Sequence, residues 1–177
     1  PATPRCAAHI ELDHLGWSRD GHRAGTWSEP AASTHLPRLG ALEVLGRSDA
    51  GWGRLDLTCR ALVALATRLP PLPEDTAIVL LTDAGCAASD RLFERARLAG
   101  HEDPQRFPYT LPSTPIGETS IRLRLRGCGF ALLGSNDTQG RVITAELLAD
   151  GAPSVLLARI DADHPPHRAW AEWWTTD

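Results

Sequence analysis

Two runs constrain this chain more than any other feature: "TAIVLLTDAG" at 76–85 and "PSVLLARID" at 153–161. Both are nearly continuous in apolar residues, and neither alternates with polar ones. That is the pattern of short strands buried on both faces, which are typical of parallel sheets under helices. The intervening segments supply such helices. Leu55, Cys59, Leu62, Ala66 and Leu69 recur at steps of three and four, forming one helical face that Pro70, Pro71 and Pro73 end. Ser89 is expected to cap a second helix running from Asp90 toward Gly100. From Thr138, the positions of Val142, Ile143, Ala145, Leu147 and Leu148 predict a helix buried over most of its circumference, closed by Asp150-Gly151. "AHIELD" (8–13) reads as an opening strand and 129–133 as a short buried one. The order β–loop–α–β–α–loop–β–α–β predicts an α/β fold: a mixed, largely parallel sheet covered by helices.

The 177 residues suit one domain spanning 1–177. Residues 16–53, rich in Gly, Ser, Pro, His and Trp, read as an irregular excursion with a short helix near Leu42–Leu45. A second irregular stretch covers "AGHEDPQRFPYTLPSTP". In the tail, 164–177, Trp170, Trp173 and Trp174 are spaced to share a helical face.

Composition excludes several functions. The formal net charge is −4, unlike that of a nucleic-acid binder. All 18 basic residues are Arg, so there is no Walker-type phosphate loop, Schiff-base lysine or Ser–Lys dyad. No apolar run has membrane-spanning length and no signal pattern opens the chain, so a cytoplasmic protein is expected. Cys6, Cys59, Cys86 and Cys128 are scattered without a C-x-x-C pair and are expected to be buried free thiols rather than a zinc or disulfide framework. Asp161, Asp163, His164 and His167 have ligand chemistry, but Pro165 and Pro166 split the histidines and favour a surface turn. No cofactor is expected.

The chemically suggestive segment is "GFALLGSNDTQG" (129–140), a strand entering a polar turn before a helix. Such bends hold up nucleophiles in many enzymes. However, "GSNDTQG" is not G-x-S-x-G, and Asp137 is too close in sequence to Ser135 to orient a base for it. Ser135, Asn136 and Asp137 are therefore expected to form the turn and cap the next helix. Upstream, "SIRLRLRG" alternates Ile121, Leu123 and Leu125 with Arg122, Arg124 and Arg126, the period of a half-wet strand.

"FPYTLPSTPIGETSIRLRLRGCGFALLG", followed by a helix and "DGAPSVLLARID", resembles the N-terminal half of a β-ketoacyl synthase of the thiolase-like fold. "GRLDLTCRALVALATRL" and "TAIVLLTDAGCAASDRLFERAR" resemble that family's first core helix and next strand–helix unit. The resemblance covers roughly residues 40–162 and is strongest to short, chain-length-factor-like proteins. It implies that Thr114–Leu123 is helical, against the period-2 signal. It places the family's nucleophilic cysteine at Asn136, or nearer Gly134 when counted back from Gly151. No Cys stands at either position, and Cys128 comes too early. The family's two catalytic histidines lie in its C-terminal half, and none of the seven histidines here stands in a comparable context.

The resemblance therefore implies a non-catalytic partner or chain-length-factor-like component of a fatty-acid or polyketide-type pathway, such as aryl-polyene pigment synthesis. Its expected partners are a full-length ketosynthase and an acidic acyl carrier protein. In the thiolase-like fold the strand before the nucleophile pairs with its counterpart across a dimer axis, which places Phe130 and Leu132 at an interface. Arg122, Arg124 and Arg126 are candidate contacts for an acidic partner, and Trp170, Trp173 and Trp174 for a protein surface. Two other readings remain open: a small acyl hydrolase or transferase using Ser135 or Cys128, and a homodimer that binds an acyl ligand.

Overall fold

β4 (Ala77–Thr82) is buried along its whole length and organises a seven-stranded sheet. The computed structural model describes residues 3–101 and 103–176. In chain order it contains β1 (Pro4–Leu12), β2 (Gly16–Arg19), β3 (His22–Thr26), α1 (Ala41–Leu45), α2 (Leu57–Arg68), β4, α3 (Ala87–Leu98), α4 (Thr114–Leu123), β5 (Gly129–Leu133), α5 (Asp137–Ala149), β6 (Ser154–Asp161) and β7 (Arg168–Thr176). Short 3-10 turns occur at Trp52–Arg54 and Phe107–Thr110. The sheet order is β3-β2-β1-β7-β6-β4-β5.

The sheet is mixed, and its parallel part is confined to β5, β4 and β6. The other pairings, β6–β7, β7–β1, β1–β2 and β2–β3, are antiparallel. Alternate residues of the central strands feed two cores. Ile78, Leu80, Leu156, Ala158 and Ile160 meet α2, whereas Val79, Leu81, Val155 and Leu157 face α5. Asp56 caps α2 by accepting from Thr58 N at 2.9 Å.

The structure corrects five expectations. The Trp-rich tail is a strand, β7, inserted between β1 and β6. Trp170 and Trp174 join the core beside α5, while Trp173 lies on the opposite face with Ala169 and Ala171. Spacings of three and four between tryptophans suit a helix, but the small Ala169 and Ala171 alternating with larger residues carry the period of two. The 16–53 excursion begins with a hairpin, β2–β3, turned by Asp20 and Gly21, both at positive φ (49° and 80°). Asp-Gly is the preferred pair for such a turn.

α3 starts at Ala87, so Ser89 is inside it; the Ser89 hydroxyl donates to Asp56 Oδ2 at 2.8 Å instead of capping its own helix. α5 buries only the stripe Gly140, Thr144 and Leu148, because it lies on one face of the sheet with its other side open. β5 is likewise an exposed edge strand, since only β4 pairs with it. Thr114–Leu123 is helical, as the resemblance implies. Arg124 ends the helix in a left-handed conformation (φ 58°), which breaks the apparent alternation.

Candidate functional site

The bend after β5 sits at the carboxyl ends of the three parallel strands, the side of an α/β sheet where ligands usually bind. Gly134 turns the chain at φ 66°. Asn136 and Gln139 then form a reciprocal capping box. Asn136 Oδ1 accepts from Gln139 N and Gln139 Oε1 accepts from Asn136 N, each at 2.9 Å. The expected turn-and-cap arrangement is present, and the Asn136 side chain is folded back on its own helix.

Beneath the bend lies a residue that sequence reasoning missed. Arg159 of β6 is only 8% exposed and reaches all three strand ends. Its Nη1 donates to the Ser135 carbonyl at 2.9 Å and lies 3.3 Å from Asp137 Oδ1. Its Nη2 donates to Asp83 Oδ1 at 2.9 Å, and its Nε to Asp161 Oδ2 at 2.7 Å. Asp161 Oδ1 also accepts from Asp83 N at 2.8 Å. Burial works against the Arg159 charge, but Asp161, Asp83 and Asp137 more than offset it, so its pKa is raised. The one available signal was a charged residue inside an otherwise apolar run.

Three carboxylates around one guanidinium leave a negative surplus at the bend. That field disfavours a thiolate, an oxyanion or an incoming phosphate. Ser135 contributes its carbonyl to this cluster, and among the described residues no histidine joins it. Cys128 is exposed at the opposite end of β5, about 20 Å from the bend at strand rise. Cys6 is exposed as well, so only Cys59 and Cys86 are the expected buried thiols. No group of three or more His, Cys, Asp or Glu among the described residues is arranged to hold a metal.

The other candidates disperse. Arg122 is drawn inward to Glu118 and Asp49 (3.0 Å to the latter), over the Trp52 ring. Arg124 and Arg126 remain exposed, and Arg126 lies 3.7 Å from Glu74. Trp170 is buried, whereas Trp173 and Trp174 are half-buried. Phe130 and Leu133 are 42% and 54% exposed on β5. Ile121 of α4 and Val142 of α5 are also exposed, at 75% and 53%. Leu132 is half-buried against the α5 core.

No protein-family profile matches the chain, and neither does any curated protein. Solved structures do. The ishigamide ketosynthase/chain length factor aligns with 99% of this chain at a TM-score of 0.74 and 17% identity. The fold is ketosynthase-like. The complex of a ketosynthase with its chain length factor from Xenorhabdus doucetiae aligns with 100% of the chain (TM-score 0.65, 18% identity). A β-ketoacyl synthase from Burkholderia phymatum STM815 also aligns with 100% (TM-score 0.70, 11% identity). The aligned region spans 62%, 80% and 60% of those chains, respectively. No helix among the described residues is long and apolar enough to cross a membrane.

Proposed function

We propose that this ketosynthase-like chain is a non-catalytic partner subunit that pairs through β5 with a full-length ketosynthase, in the manner of a chain length factor. The observation that carries the reading is the contrast between the two edges of the sheet. β3 guards one edge with a short strand carrying His22 and Arg23, the latter paired with Asp13 at 2.6 Å. β5 presents "GFALL" without a charge or proline. An unguarded apolar edge is a template for another strand. The exposed Ile121, Phe130, Leu133 and Val142 around it extend the apolar surface.

The bend supports the same reading. An amide at Asn136 cannot accept an acyl group as a thiolate does, and Arg159 with its carboxylates occupies the ground beneath it. The proposed setting is a fatty-acid or polyketide-type pathway, aryl-polyene synthesis included, and the likeness to a ketosynthase–chain length factor complex supports it. An acidic acyl carrier protein would meet the assembly through exposed arginines, and the cytoplasm is its proposed compartment.

Native mass spectrometry of this chain mixed with a full-length ketosynthase from the same organism tests the proposal. A one-to-one complex is expected, and Phe130→Asp with Leu133→Asp should abolish it. A homodimer that excludes the ketosynthase would overturn it. So would an acyl group transferred from a carrier protein to Ser135 or Cys128, which would establish the hydrolase or transferase reading.

A further inference from the structure

α3 is held to the body of the fold at its N-terminal junction, and farther along Arg91 pairs with Asp163 and the Phe93 ring packs on Phe107. Along its twelve residues only Ser89 is buried, and Leu92 and Leu98 are exposed. At that junction Asp56 of the α2 cap accepts from Ser89 N and Oγ at 3.1 and 2.8 Å. The Thr58 hydroxyl donates to the Gly85 carbonyl at 3.0 Å. Directly beside these bonds, Cys59 of α2 and Cys86 at the start of α3 place their Sγ atoms 4.0 Å apart. Both thiols are free and buried.

We infer that Cys59 and Cys86 are a redox-responsive pair whose oxidation staples α3 to α2. Closing 4.0 Å to a disulfide length of about 2 Å needs side-chain rotation and a small shift of the α3 terminus. A cavity of about 490 Å³ opens beside the junction, lined by Asp56, Leu57 and Arg60 of the α2 end and by Ala88 and Ser89 of α3, so a small oxidant reaches the buried thiols only when the α3 terminus moves. With hydrogen peroxide, one thiolate attacks a peroxide oxygen, the O–O bond breaks, and sulfenic acid and water form. The second thiol then attacks the sulfenic sulfur and expels a second water. Two thiols and one peroxide thus become one disulfide and two waters, with sulfur oxidised and peroxide reduced.

The reaction is slow at neutral pH. The Cys86 thiol beside it, burial, and the nearby Asp56 and Glu118 all push the Cys59 thiol well above its ordinary pKa. The pair therefore responds to sustained oxidation, whereas Cys6 and Cys128 react first. The disulfide closes a loop between positions 27 apart and restrains the unfolded chain.

The test uses the full chain carrying Cys6→Ser and Cys128→Ser, treated folded with hydrogen peroxide. The expected result is a mass loss of about 2 Da, a Cys59–Cys86 peptide under non-reducing digestion, and a Tm higher by roughly 5–10 °C that dithiothreitol reverses. Cys86→Ala in the same background should show none of these changes. Retention of both thiols, oxidation to sulfinic acid without a crosslink, or a crosslink that fails to raise Tm would each overturn the inference. This pair is independent of the partner role proposed above.

Discussion

Arg159 holds the Ser135 carbonyl at 2.9 Å and so ties the β5–α5 bend to β6, which lies beyond β4 in the sheet. The bond accounts for how a turn at the end of an exposed edge strand stays ordered. It also puts a buried cation where three carboxylates converge from separate segments of chain.

Removing that cation should be costly. Arg159→Met leaves Asp83, Asp137 and Asp161 facing one another and the Ser135 carbonyl without its donor. A loss of about 3 kcal/mol in urea unfolding is expected, with faster amide exchange across 134–137. Arg159→Lys should recover part of this, because it restores charge but not the fork.

Asn136 is expected to matter as a cap. Asn136→Ala should cost about 1 kcal/mol, and Asn136→Asp should retain most of the stability, because a carboxylate accepts from Gln139 N and suits a helix N-terminus. Thermal unfolding followed by circular dichroism separates the two variants.

Gly140 lies against the core rather than at a turn. A Cβ there would meet Leu81 Cδ1 at 2.8 Å and Leu157 Cδ1 at 2.9 Å. Both leucines are fully buried, so their ends must shift within a packed core. Gly140→Ala should therefore lose about 1–2 kcal/mol in urea unfolding despite the better helix propensity of alanine.

Glu172 gives the fold an acid-sensitive joint between β7, α5 and β1. Although burial opposes ionisation, the His9 imidazole 3.7 Å away and hydrogen bonds from Arg141 and Trp174 lower its pKa to about 2. Its contribution is present above the ordinary glutamate range, near 4.5, and is lost as pH falls from there toward 2. The Glu172 carboxylate, 3.7 Å away, outweighs burial at His9 and raises that imidazole's pKa, so its contribution is complete below about 6.5 and fades as pH rises through the raised value. Unfolding free energy measured against pH should show both slopes in the native chain, and Glu172→Gln should flatten each by on the order of 2 kcal/mol in total.

The sequence by itself determined the parallel core and the absence of thiol chemistry at the bend. The runs at 77–82 and 154–161, the stripe of α2, and the Asn136 cap all follow from local periodicity and side-chain type. The α4 helix was legible only through resemblance, since the stretch 121–126, which runs past the helix end at Leu123, alternates apolar residues with arginines and mimics a strand. Tertiary structure alone decided three matters. It made the tryptophan tail a strand, because the open edges of β1 and β6 supply backbone partners that an isolated segment cannot show. It left β5 at the margin, because which strand lies outermost depends on the order of all seven. And it gathered Asp83, Asp137 and Asp161 around Arg159, because residues up to 78 positions apart meet only when parallel strands end together.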